Sequence, residues 1–96
     1  MECKERFVFK TIEKRGAGAF KNEKGETVEY PEAYILKVDE NKDGKINERK
    51  FRISSNRAYL ADKLREVAPY EDIDVTFDVL VHLNGVRLEV LDVEMV

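Results

Sequence analysis

The chain has 96 residues, 43% hydrophobic and 39% charged, with a formal net charge of −3. That length and balance describe one globular domain spanning residues 1–96, and exclude a disordered or low-complexity chain. No apolar run approaches the roughly 20 residues that span a bilayer, so no membrane partner is expected.

The opening stretch, "MECKERFVFK", carries charges of both signs and lacks the apolar core of a secretory signal. Cys3 is the only cysteine, so no intrachain disulfide can form and a reducing cytoplasm is the expected setting. The charge is unevenly spread. Residues 1–65 hold 16 of the 17 Lys and Arg against 12 acids, whereas residues 66–96 hold eight acids and only Arg87. Such asymmetry hints at an anionic partner for the basic part, or at acids that simply solvate one end of a sheet.

In chain order, "RFVFKTI" (6–12) is rich in β-branched and aromatic residues and reads as a first strand. "KRGAGAFKNEKGET" (14–27) is basic and glycine-containing, a long loop or bulged hairpin. "VEYPEAYILKV" (28–38) is a second strand, with Pro31 marking an edge or a break near its start. "KINERKFRI" (45–53) is a third.

Between the second and third strands lies "DENKDGKINERK" (39–50), which resembles the twelve-residue calcium loop of EF-hands. Asp39, Asn41, Asp43, Gly44, Ile46 and Asn47 fall where that motif wants them. Position 12, which should supply a bidentate Glu, is Lys50. An ammonium there opposes a cation, and no second loop of the kind exists, so calcium is not expected as a ligand. The competing reading is a hairpin reversed at Asp43-Gly44. Pairing outward sets Leu36 against Phe51 and Tyr34 against Ile53 on an apolar face. Lys37 then opposes Lys50, and Ile35 opposes Arg52, on the other.

"SSNRAYLADKLREVA" (54–68) changes period: Leu60, Leu64 and Val67 recur on one helical face with Ala61 and Ala68 beside them. Ser54, Ser55 or Asn56 is the expected N-cap, and Pro69 the stop. "DIDVTFDVLVHLNGVRLEVLDVEMV" (72–96) alternates strictly and turns at Asn84-Gly85. Pairing outward from that tip matches Leu83 with Val86, Val81 with Leu88 and Val79 with Val90, and sets His82 across from Arg87. The apolar phase then slips by one. A bulge near Leu91 restores it, with Phe77 against Val93 and Val75 against Met95.

The order strand-strand-strand-helix-strand-strand resembles the OB-fold, a mainly β, five-stranded Greek-key barrel with one helix. OB-folds bind oligonucleotides on the face of strands two and three and in adjoining loops. The resemblance implies a site made of Lys37, Lys50 and Arg52 on that face and of Lys14, Arg15, Phe20, Lys21 and Tyr30 in and beside the first loop. Opposed lysines repel, and a phosphate between them turns the repulsion into attraction. Alternatively Asp39 and Glu48, diagonal to Lys50 and Lys37, pair the charges off internally. Phe20 either stacks on a base or folds back onto the core. In size and charge placement the chain resembles the small single-stranded-DNA-binding proteins of bacteriophages and mobile elements. That likeness implies non-sequence-specific binding of single-stranded nucleic acid, more specifically DNA, by a cytoplasmic homo-oligomer. The rival expectation is a protein-interaction module using the charge asymmetry and an open barrel edge.

Neither catalysis nor a cofactor is expected. Cys3 lies at the start of the chain and nothing in the sequence brings His82 to it as a base. No cluster has transition-metal spacing.

Overall fold

A computed structural model describes residues 1–83 and 85–96. Seven strands form: β1 (Glu2–Arg15), β2 (Gly18–Lys21), β3 (Thr27–Tyr30), β4 (Ala33–Lys42), β5 (Lys45–Ser54), β6 (Asp72–His82) and β7 (Gly85–Met95). A 3-10 turn (Ser55–Arg57) and a short helix α1 (Ala58–Leu64) separate β5 from β6. Five strands close into a barrel in the order β1-β4-β5-β7-β6, and β2 and β3 form a separate hairpin. This is the expected mainly β, one-helix layout. None of the described helices is long and apolar enough to cross a membrane.

Closure depends on β1, which is longer than residues 6–12. Its first half pairs with β6, from Glu2↔Asp78 to Val8↔Asp72. Its second half pairs with β4, from Val8↔Asp39 to Arg15↔Ala33, with the register shifting between Phe9 and Thr11. A bulge bends a strand sharply, and this one lets a single strand serve both sides of the barrel. The segment before β6 braces the bend: Tyr70 donates its N–H to the Phe9 carbonyl and Phe9 donates its own to Glu71, both at 2.8 Å.

Alternation fills the interior. Phe7, Phe9, Leu36, Val38, Phe51, Ile53, Ile73, Val75, Phe77, Val90 and Val93 are all buried. Phe51 is the aromatic hub, with ring centroids 5.3 Å from Phe7 and 4.9 Å from Phe77. Leu60, Ala61, Leu64 and Val67 complete this core from the α1 segment, on the expected face. Ala68 is exposed, and neither Ser54 nor Arg57, the residues preceding the two helical segments, makes a side-chain capping bond. Burial of one apolar face, rather than capping, therefore holds this short helix.

The Asp43-Gly44 reversal forms as read: both residues have positive φ, 54° and 76°, as a type I′ turn requires. The β4–β5 ladder carries Leu36↔Phe51, Tyr34↔Ile53, Lys37↔Lys50 and Ile35↔Arg52. Strands, not helices, flank this loop, so the calcium-loop geometry is absent. Tyr34 is buried. Pro31 does break the expected second strand, between β3 and β4.

The β6–β7 ladder differs from expectation by two residues. His82 pairs with Gly85, Leu80 with Arg87, Val81 with Val86, Val79 with Leu88 and Phe77 with Val90. Past a shift between Thr76 and Phe77, Val75 pairs with Val93 and Ile73 with Met95. The extra residue is Leu91, where the bulge was expected. A two-residue slip preserves every side chain's face, so the apolar pattern could not separate the two registers. Asn84, half of the expected tip, lies outside the described residues.

Candidate nucleic-acid interface

The outer faces of β4 and β5 present Ile35 and Lys37 beside Lys50 and Arg52, with Asp39↔Glu48 one step further along. The two carboxylates do not pair off the lysines. Lys10, at the β1 bulge, takes both, at 2.6 Å from Glu48 and 3.6 Å from Asp39. The hydrogen bond from Lys10 holds Glu48 below the usual carboxylate range, with a smaller Coulombic pull from Lys10 and then from Lys37 and Lys50. The Glu48 bond correspondingly raises Lys10. Among the described residues, Lys50 has no carboxylate within 4 Å.

The other two cations of this face are committed to different degrees. Lys37 meets Glu13 at 3.2 Å, an exposed contact of the kind worth little. Arg52 donates to Glu89 at 2.7 Å with both side chains mostly buried. Among the described residues these two form the single parallel bridge joining β5 to β7, so Arg52 also fastens the barrel seam.

A concave surface runs over this face, walled by Glu13, Arg15, Lys37, Lys50 and Arg52 and by Val86, Arg87 and Leu88 of β7. An adjoining hollow is lined by Arg15, Phe20, Val28, Tyr30, Arg52 and Arg87. Arg15, Arg52 and Arg87 belong to both, which makes one groove bounded by the β2–β3 hairpin and the turn end of the β6–β7 hairpin.

The β2–β3 hairpin supplies the aromatics. Its turn is held by the Asn22 carboxamide oxygen, which accepts from Lys24 and Glu26 N–H, both at 3.0 Å. Phe20 opposes Val28 and Gly18 opposes Tyr30. Phe20 is 54% exposed, so it does not fold onto the core. Its ring lies 6.3 Å from that of Tyr30. The Arg15 guanidinium sits 5.1 Å from the Tyr30 ring centroid and donates to the Pro31 carbonyl at 3.2 Å. A Cβ at residue 18 would collide with the Tyr30 ring, so glycine is needed there for the ring to lie as it does. Among the described residues, Arg15 Nε is buried without a partner.

Of the residues expected at a site, Arg15, Phe20, Tyr30, Lys37, Lys50 and Arg52 thus share this groove. Lys14 and Lys21 do not line it. Lys14 meets Glu32 at 3.3 Å, and Lys21 lines a separate hollow at the tip of the β2–β3 hairpin. Arg87 was missed, because it looked like the lone cation of an acidic segment. Its alternation with Val86 and Leu88, which places it on the outer face, was the available signal.

Three of the eight acids of the last third are answered from the N-terminal segment. Arg6 holds Asp74 at 2.9 Å, Lys4 meets Glu94 at 3.4 Å, and the N-terminal ammonium meets Asp78 at 2.9 Å. Cys3 pairs with Phe77, away from His82 at the far end of β6. Among the described residues no group of three His, Cys, Asp or Glu could hold a metal ion.

No protein-family model matches the sequence, and no curated protein matches it. A structural comparison does. The solution NMR structure of the second OB-fold domain of replication protein A from Methanococcus maripaludis superposes with a TM-score of 0.52 at 10% identity. The match covers 100% of this chain and 84% of that one. The fold is an OB-fold. At that identity the likeness is one of architecture. In OB-fold terms, β4 and β5 are strands two and three, the β2–β3 hairpin is an elaborated first loop, and the β6–β7 turn is the last loop.

Proposed function

We propose that this OB barrel binds single-stranded nucleic acid, DNA in particular, without sequence preference, along the groove over β4 and β5. One observation carries the reading. The groove lined by Arg15, Lys37, Lys50, Arg52, Arg87, Phe20 and Tyr30 coincides with the surface on which OB-folds commonly engage oligonucleotides. Phosphates meet cations, and bases find aromatic faces that every base can use, which is sequence-tolerant chemistry. Lys14 and Lys21 flank the groove and would act on the strand as it leaves. The role is that of a cytoplasmic, non-catalytic protein of the kind bacteriophages and mobile elements carry, working as several copies.

The test is fluorescence anisotropy with labelled oligothymidylate at low salt. Binding is expected, and Lys37→Glu with Lys50→Glu should abolish it while leaving the circular dichroism spectrum unchanged. Retained affinity would overturn this face as the site.

A second reading has one observation in its favour. Among the described residues a single bridge joins β5 to β7, which leaves backbone groups further along these two strands for a strand from a protein partner to pair with. Absence of oligothymidylate binding even at low salt would favour it.

A further inference from the structure

Three cross-strand pairs mark how the β6–β7 hairpin leaves the barrel. Phe77 and Val90 are buried, Val79 and Leu88 half-buried, and Val81 and Val86 are 79% and 62% exposed. Residues two apart on a strand share a face. The face that fills the core therefore runs on past the end of the barrel and meets solvent while still apolar. Leu83, fully exposed, lies just beyond it. Residues 79–86 are also the longest run without Asp, Glu, Lys or Arg in a chain 39% charged. The nearest acids on either side are already answered, Asp78 by the N-terminal ammonium at 2.9 Å and Glu89 by Arg52 at 2.7 Å.

This tip is continuous with the groove. Val86, Arg87 and Leu88 wall the concavity over β4 and β5, and Arg87 also lines the hollow beside Phe20 and Tyr30. A strand whose phosphates lie against Arg87 comes up to Val86, and from there residues 79–86 offer a phosphate no cation. They offer rings an apolar surface. The two ends of the groove thus differ in kind. Phe20 and Tyr30 are flat aromatic faces that suit single bases, whereas Val81, Leu83 and Val86 are aliphatic, the sort of side chain that wedges against base steps.

Resting on the single-strand reading above, we propose that the tip caps the end of a duplex, so that the chain favours a junction where a single strand emerges from a double one. The single-stranded arm lies in the groove, and the last base pair sets its open face against Leu83, Val81 and Val86. Shape and charge select this occupant. A terminal base pair is the widest apolar ring face that a nucleic acid presents, and it follows directly on the arm. A neutral tip neither repels the phosphates of two converging strands nor grips them. Its contribution is apolar burial, which should barely change with salt, unlike that of the groove.

Fluorescence anisotropy with the whole chain compares labelled oligothymidylate with the same strand extended into a stem-loop duplex, as a 5′ tail and as a 3′ tail. One polarity should bind about tenfold tighter than free oligothymidylate, since covering a single exposed Leu or Val suffices for that. The advantage should persist as salt rises. Leu83→Ser and Val81→Thr should each remove much of it while oligothymidylate affinity, circular dichroism and Tm hold, both sites being exposed. Equal affinity for tailed and free strands, an advantage that fades with salt, or one that both variants leave intact would overturn the proposal. So would an equal loss on free oligothymidylate in Leu83→Ser, which would make the tip an ordinary single-strand contact. A parent that ignores oligothymidylate at low salt would take this inference down together with the reading beneath it.

Discussion

The groove holds five cations, but they should not count equally toward phosphate. Lys37 and Arg52 already face carboxylates, Glu13 at 3.2 Å and Glu89 at 2.7 Å. When a phosphate displaces such a carboxylate the negative charge stays nearby, so little counterion release is gained. Arg15, Lys50 and Arg87 have no carboxylate within 4 Å among the described residues. At about −0.7 per phosphate on a single strand, these three cations give log K against log salt a slope of about −2. All five would give about −3.5. Raising salt fourfold should therefore weaken binding by roughly twentyfold rather than by over a hundredfold. Anisotropy titrations with oligothymidylate at several salt concentrations measure the slope. Lys50→Ala should flatten it by about 0.7, and Glu13→Gln, by releasing Lys37, should steepen it by about the same. A parent slope near −3.5 that Glu13→Gln leaves alone would refute the discount for paired cations. A slope that ignores Lys50→Ala would refute the groove.

Gly18→Ala should displace the Tyr30 ring it abuts; losing one stacking face, worth about 1–3 kcal/mol per base, should weaken oligothymidylate binding by about fivefold or more while Tm holds. Unchanged affinity would remove Tyr30 from the site. Phe51, 1% exposed and central to the aromatic core, should cost about 3–5 kcal/mol when cut to Ala, read as a lowered urea midpoint. Glu40, held below the ordinary carboxylate range first by its bond from Lys42 and then by that from Arg49, should make stability acid-sensitive. A folded-state pKa below the unfolded one means the contribution is complete above the ordinary Glu value of about 4.3 and fades as pH falls through the folded value. Urea midpoints measured downward from neutral pH should therefore drop in acid, and Glu40→Gln should flatten that drop without removing it, since Glu48 and Asp74 are shifted the same way.

The β4–β5 hairpin was legible in the sequence because two independent signals agreed there. Asp43-Gly44 demanded a type I′ turn, and the apolar phases on either side fitted that turn. At β6–β7 the Asn-Gly turn signal pointed two residues away from the register that forms, and the phase could not correct it. Gly85 adopts φ 135° opposite His82 rather than in the turn, and nothing local distinguishes that from the register two residues away. The helix was legible as a buried face and illegible as capped ends, because packing of Leu60 and Leu64 against the barrel decides it. Among candidate site residues, those on β4 and β5 followed from register. Arg87 reaches the groove because β7 lies beside β5, and that adjacency is a property of the closed barrel.

The charge balance of the groove shows how far a local irregularity can reach. From the β4–β5 register alone, Asp39 and Glu48 are as well placed to neutralise Lys50 and Lys37 as any phosphate would be. What removes them is Lys10, which belongs to neither strand and sits where β1 breaks register between Phe9 and Thr11. The bend there is required for closure, since β1 must leave β6 and take up β4 at that point. It also places the Lys10 ammonium between the two carboxylates. Barrel closure and the freedom of Lys50 thus share one cause. Lys10→Met should leave Asp39 and Glu48 to turn on their lysine neighbours, so oligothymidylate affinity should fall even though Lys10 itself stands outside the groove; unchanged affinity would break that link.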